Sequence, residues 1–194
     1  MRKIVFATNN AHKLSELRQI VEGSGLRILS LGDIGCHEDI PETALTIEGN
    51  AELKARYVKK NYGYDCFADD TGLEIKALGG QPGVHTARYA GEECDSEKNI
   101  DKVLRNLMGA SDRSARFRTA IALVTGDDCQ IFEGEVRGEI LTERRGSAGF
   151  GYDPIFKPIE ADCSFGEMSS EQKNSISHRA RAVAAMLKSD FFEK

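Results

Sequence analysis

Apolar residues recur along this chain with two alternating periods, which predicts strands feeding into helices. Residues 2–8 read as a short buried strand, and Leu14, Leu17, Ile20 and Val21 follow at helical spacing up to Gly23. Residues 27–31 form a second strand pattern. Ala51, Ala55, Val58 and Tyr62 then mark a second helix closing at Gly63, and residues 66–68 a third strand. Ile100, Val103, Leu104 and Leu107 give an amphipathic helix capped near Ser96. Residues 117–125 and 129–136 read as long strands of an antiparallel hairpin turning at Gly126-Asp127-Asp128. Ser169 and Gln172 have the capping-box spacing, and Ser177 precedes a last helix carrying Val183, Met186 and Leu187. Together these predict an α/β architecture with ligand loops at the carboxyl ends of its strands.

Composition narrows the class without naming a chemistry. The 194 residues are 40% hydrophobic and 29% charged, which fits a single domain spanning 1–194, or one domain with a lobe. No stretch approaches the ~18 apolar residues of a membrane span, and the opening residues turn polar too soon for a signal peptide, so the cytoplasm is the expected location. Cys36, Cys66, Cys94, Cys129 and Cys163 are odd in number, dispersed and free of any Cys-x-x-Cys pair; they read as reduced, mostly packing residues. A net charge of -5 argues against a broad nucleic-acid surface, so a phosphate ligand, if there is one, is small.

Five segments carry candidate chemistry. In Phe67-Ala68-Asp69-Asp70-Thr71-Gly72 an apolar run ends in two adjacent carboxylates and a hydroxyl, either a cation site at a strand exit or a turn capping backbone N–H groups. Thr8-Asn9-Asn10-Ala11-His12-Lys13 lies between the first strand and its helix, where N–H groups and the dipole favour an anion; Asn10 also fits a plain N-cap. Glu42-Thr43, with Glu48, Asn50 and Lys54 downstream, supplies either a second magnesium carboxylate or an ordinary acidic start to a helix. Gly149-Phe150-Gly151-Tyr152-Asp153-Pro154 offers a ring for stacking a planar base or a packed turn, and Lys173 with Ser177-His178-Arg179 sets cations near a helix N-terminus. His12, His37 and His85 have no metal-ligand spacing.

Taken in order, these motifs, with Leu78-Gly79-Gly80-x-Pro82-Gly83 and Ala87-Arg88-Tyr89, closely resemble the inosine triphosphate pyrophosphatase family over nearly the whole chain. The resemblance implies an elongated mixed central β-sheet flanked by helices, with two lobes, a nucleotide cleft between them and a homodimeric assembly. It implies magnesium-dependent hydrolysis of nonstandard purine nucleoside triphosphates (ITP, dITP, XTP) to the monophosphate and pyrophosphate; the charge and hydropathy above add the expectation of no direct nucleic-acid or membrane partner. By position, Asp70 corresponds to the proton acceptor and a metal carboxylate, and Glu42 to a second metal carboxylate. Thr8, Asn9, Asn10, Ala11, His12, Lys13, Lys54, Thr71 and Lys173 match positions that bind the phosphates or nearby parts of the substrate. Phe150, Gly151, Tyr152, Asp153, His178 and Arg179 match base-binding positions. Asn9, Gly49, Thr71 and His85 depart from the commonest wording, which has glycine, glutamate, serine and tyrosine there. The rival readings are a noncatalytic nucleotide sensor and a nicotinamide-dependent oxidoreductase; the second lacks the glycine fingerprint.

Overall fold

The computed structural model describes residues 2–192 and contains a seven-stranded mixed sheet with five α-helices. The strands are β1 (Arg2–Phe6), β2 (Leu26–Leu29), β3 (Cys66–Ile75), β4 (Pro82–Gly83), β5 (Ser114–Thr125), β6 (Asp128–Ile140) and β7 (Phe156–Pro158). The helices are α1 (Ala11–Ile20), α2 (Ile47–Tyr62), α3 (Ser96–Asn106), α4 (Ser170–Ile176) and α5 (His178–Leu187). Hydrogen bonding orders the sheet β2-β1-β3-β5-β6-β7, with β4 beside β3. β1 pairs in parallel with β2 and β3, while β4 on β3 and β7 on β6 are antiparallel. A β1–α1–β2 crossover and an α2 return to β3 are what parallel pairing requires. None of the helices among the described residues is long and apolar enough to cross a membrane.

The chain divides into two compact units, one made of residues up to 70, 119–134 and from 179 onward, the other of 71–118 and 135–178. In the first, Ile4, Phe6 and Phe67 pack with Leu17 of α1 and Val183 and Met186 of α5. Val5, Ala7 and Ala68 pack with Ala51, Ala55 and Val58 of α2. Alternate β1 residues thus enter different clusters, the two-residue period of a strand covered on both faces. In the second unit Leu73, Ile75, Phe117, Val136 and Phe156 enclose Ile100, Val103 and Leu107 of α3.

One expectation needs correction. The third strand does not stop at Ala68: β3 runs unbroken through Asp69 and Asp70 to Ile75, so the acids neither end a strand nor open a turn. Two adjacent buried carboxylates are tolerated in a strand because cations reach them from distant segments, as described below. The third helix is capped next to Ser96, as expected, by Asp95, whose side chain accepts from the N–H groups of Glu97 and Lys98. α2 begins about a turn before Ala51, with Thr46 as its cap. The Ser169–Gln172 capping box is present, and Cys36 and Cys66 are buried whereas Cys94 is exposed.

Candidate active site

In the first unit, β3 delivers Asp69 and Asp70 with side chains on opposite faces, as strand alternation demands. Lys13 Nζ lies 3.0 Å from Asp69 Oδ1, and Arg179 Nε donates to Asp69 Oδ2 at 2.9 Å; Arg179 Nη1 also donates to Glu16. Lys13 and Glu16 stand three residues apart on α1 and so share a face. Asp69 and Arg179 are each 1% exposed, which makes this a buried, charge-balanced set of two acids and two bases. Burial would raise the Asp69 pKa, but Lys13, Arg179 and Lys54 outweigh it and hold the group well below the usual carboxylate range. Asp69 is therefore the counter-ion of Lys13 and Arg179. It also offsets the unfavourable placement of Lys13 in the first turn of α1.

Asp70 has the opposite character. Burial pushes its pKa up, the charges of Glu42 and Asp69 add to the rise, and Lys54 and Lys13 only partly oppose it. Asn50 Nδ2 donates to Asp70 Oδ2 at 3.2 Å, and Lys54 Nζ donates to Glu42 Oε1. Burial of Lys54 works against its charge, yet Asp70, Glu42 and Asp69 together raise its pKa. Glu42 and Asp70 therefore converge electrostatically on one ammonium. Among the described residues no group of three or more His, Cys, Asp or Glu is placed to hold a metal alone. Two hard carboxylates, one of them strained in its ionised form, fit magnesium, which takes one or two carboxylates and completes its shell with waters and phosphate oxygens.

The loop at 8–13 is organised locally. Asn10 caps α1, accepting from the N–H groups of His12 (3.0 Å) and Lys13 (3.1 Å), and its own N–H donates to Thr8 Oγ1 at 3.1 Å. Asn9 Nδ2 donates to Asp39 Oδ1 at 3.0 Å, which ties this loop to the one carrying Glu42. Asn9, Asn10, Ala11 and His12 are exposed, while Thr8 and Thr71 are half-buried. Nearby, Glu38 Oε1 accepts from the hydroxyls of Tyr62 (2.7 Å) and Tyr57 (2.9 Å) on α2. The Tyr62 hydroxyl chiefly, then the Glu38 backbone N–H and the Tyr57 hydroxyl, pull the Glu38 carboxyl down to about 2. A depressed pKa means that this tie is at full strength above the ordinary value of 4.5 and weakens as pH falls toward 2. Carboxyl-carbon NMR is expected to give Glu38 a midpoint near 2; a midpoint near 4.5 would show that the phenols do not hold it.

In the second unit the aromatic motif is organised by Asp153. Its Oδ2 accepts from Phe150 N at 2.9 Å and from Lys173 Nζ at 2.6 Å, both charged side chains being buried. The ammonium lies over the Phe150 ring, 4.7 Å from its centroid, a cation–π contact. Gly149 makes the turn possible: its φ is +73°, and a Cβ there would fall 2.0 Å from Asp153 Oδ2. Gly151 also has a positive φ of +60°. Tyr152 is buried and its hydroxyl donates to the Thr86 carbonyl at 2.7 Å, while burial pushes the phenol pKa up. His178 is buried and stacks on Phe117, centroids 4.7 Å apart at 15°, with Phe165 beyond.

Each unit thus gathers its own subset of the expected residues. Lys13, Glu42, Lys54 and Asp70 share one electrostatic network; Phe150, Asp153 and Lys173 share another. Arg179, expected as a donor to a purine, is held by Asp69 and Glu16, and Lys173, expected near phosphates, is held by Asp153. Sequence reading missed Glu16, Phe117 and Phe165. The three-residue spacing of Lys13 and Glu16 was the available signal for the first; nothing local marks the other two.

The Ham1 family profile matches residues 4–189. A Porphyromonas gingivalis protein named dITP/XTP pyrophosphatase is 55% identical over 187 residues, covering 96% of each chain. A Bacillus subtilis protein of the same name is 46% identical over 191 residues, covering 97% of this chain and 96% of its own. Among solved structures, the Staphylococcus aureus Ham1 protein superposes with a TM-score of 0.88 at 38% identity over 100% of both chains. A Mycobacterium abscessus nucleoside-triphosphatase / dITP/XTP pyrophosphatase gives 0.76 at 40% identity, over 96% of this chain and 100% of its own. In profile, sequence and fold alike, the chain belongs to the Ham1 family.

Proposed function

We propose that this protein hydrolyses nonstandard purine nucleoside triphosphates, namely dITP, ITP and XTP, to the nucleoside monophosphate and pyrophosphate. The observation that carries the reading is the convergence of Glu42 and Asp70 on Lys54 in a chain whose relatives are named dITP/XTP pyrophosphatases. Residues 1–194 serve as one functional domain, a cytoplasmic homodimer that keeps such nucleotides out of the pool used for nucleic-acid synthesis.

Glu42 and Asp70 are the carboxylates assigned to magnesium. The chemistry that ion supplies when bound is neutralisation of charge on the triphosphate oxygens. Asp70 orients a water and takes its proton as the water attacks the α-phosphorus in line, and pyrophosphate leaves with no covalent intermediate. Lys13, Lys54, Lys173, Thr71 and the N–H groups of residues 8–13 are assigned to the phosphates and adjoining parts of the substrate, where positive charge stabilises what develops in the transition state. Phe150, Gly151, Tyr152 and Asp153 are assigned to the purine, Phe150 as the stacking ring. His178 and the Arg179 guanidinium, whose Nε and Nη1 already engage Asp69 and Glu16, are assigned to the 6-oxo group of hypoxanthine or xanthine. Adenine presents an amino donor there and would leave those donors unpaired.

The test is incubation with ITP and with ATP in magnesium, with pyrophosphate and orthophosphate assayed separately. Pyrophosphate from ITP, and much slower turnover of ATP, is the expected result. Orthophosphate from ITP, or equal turnover of ATP, contradicts the reading, and nucleotide binding without turnover would favour a sensor.

A further inference from the structure

We infer that Asn50 is a positioning residue for this reaction, its amide fastening the Asp70 carboxylate to the loop that carries Glu42; the inference rests on the reading of Asp70 as the base. Asparagine is a weak helix former, and inside a helix its amide competes with the backbone. Asn50 nevertheless lies within α2 and is 1% exposed, so its amide must find partners. Oδ1 accepts from Ala44 N at 2.9 Å, and Nδ2 donates to Asp70 Oδ2 at 3.2 Å. The Ala44 N–H can only donate, so Oδ1 must face it, and Nδ2 is thereby turned toward Asp70.

The rest of the helix face agrees. Ala44 follows Glu42 by two residues, and Lys54, one turn beyond Asn50 on the same face, holds Glu42 itself. Gly49 lets the loop approach: a Cβ there would lie 2.7 Å from the Ala44 Cβ. One helix face therefore sets both carboxylates of the pair, Glu42 through Lys54 and the Ala44 backbone, and Asp70 through the Asn50 amide. A base whose carboxylate is held in orientation acts through kcat, since small misplacements of a reacting group cost large factors in rate.

The experiment compares Asn50→Asp and Asn50→Ala with the unmodified protein and Asp70→Asn, using ITP and magnesium. Asn50→Asp keeps the size and the acceptor facing Ala44 but replaces the donor toward Asp70 with an oxygen. Its kcat is expected to fall about 100-fold with KM within about twofold. In the Asp70→Asn background neither substitution is expected to lower the residual rate further, because Asn50 acts through Asp70. An unchanged kcat in Asn50→Asp, or an equal loss in both backgrounds, would overturn the inference. So would a loss that disappears on cooling below the variant's melting range, which marks a merely structural role. If the unmodified protein releases no pyrophosphate from ITP, or Asp70→Asn retains full rate, the functional reading itself fails. A normal rate in Asn50→Asp beside an inactive Asp70→Asn removes only the role of Asn50.

Discussion

Asp70→Asn is expected to lower pyrophosphate release from ITP by about three orders of magnitude or more while leaving the thermal midpoint unchanged or higher. The rate effect combines loss of a general base, worth roughly 10²–10⁴, with loss of one of the two carboxylates assigned to magnesium. The stability effect follows from environment. Burial disfavours the ionised form of Asp70, and Glu42 and Asp69 add to that strain despite Lys54 and Lys13. A neutral amide of the same shape escapes the desolvation penalty and can accept from Asn50 Nδ2 through its own oxygen. Kinetics and differential scanning on the same preparation check both halves. A rate within tenfold of the unmodified protein would remove Asp70 from the chemistry, and a large drop in midpoint would show that its role is structural.

Asp69→Ala is expected to behave in the opposite way, acting first on the fold. Its carboxylate is the shared partner of Lys13 and Arg179 in a buried network, and its removal strands two cations out of water. Breaking a buried pair from one side costs about 3–5 kcal/mol. For a chain of this size that corresponds to a fall of roughly 10 °C in thermal midpoint. The control is Arg56→Ala, whose partner Glu52 sits one turn earlier on the exposed face of α2 with both side chains more than 40% exposed. Surface pairs of that kind contribute about 0–1 kcal/mol. If thermal unfolding finds Asp69→Ala no more damaging than Arg56→Ala, the buried network does not hold the unit together.

The contrast between these neighbours explains which parts of the protein were legible in the sequence. Elements whose signals are local were readable: α1 from Leu14, Leu17 and Val21, the capping box of α4, and the β5–β6 turn at Gly126-Asp127. Acids are poor strand residues, so local pattern alone ends β3 early; its continuation depends on partners far away in sequence. Lys13 is 56 residues from Asp69 and Arg179 is 110. The site motifs were visible as residue types in order, yet their pairing was not. Lys173 seated on Asp153, and His178 stacked on Phe117, are tertiary facts with no periodic trace. In the sequence Asn50 is only one letter of a motif; its two hydrogen bonds are what give it a place in the chemistry.

Hydrolysis of ITP in ¹⁸O-labelled water under single-turnover conditions reveals which phosphorus is attacked by the water that Asp70 activates. Mass spectrometry of the products is expected to place the label in inosine monophosphate and leave pyrophosphate unlabelled. Label in the pyrophosphate would mean attack at the β-phosphorus and would contradict the account.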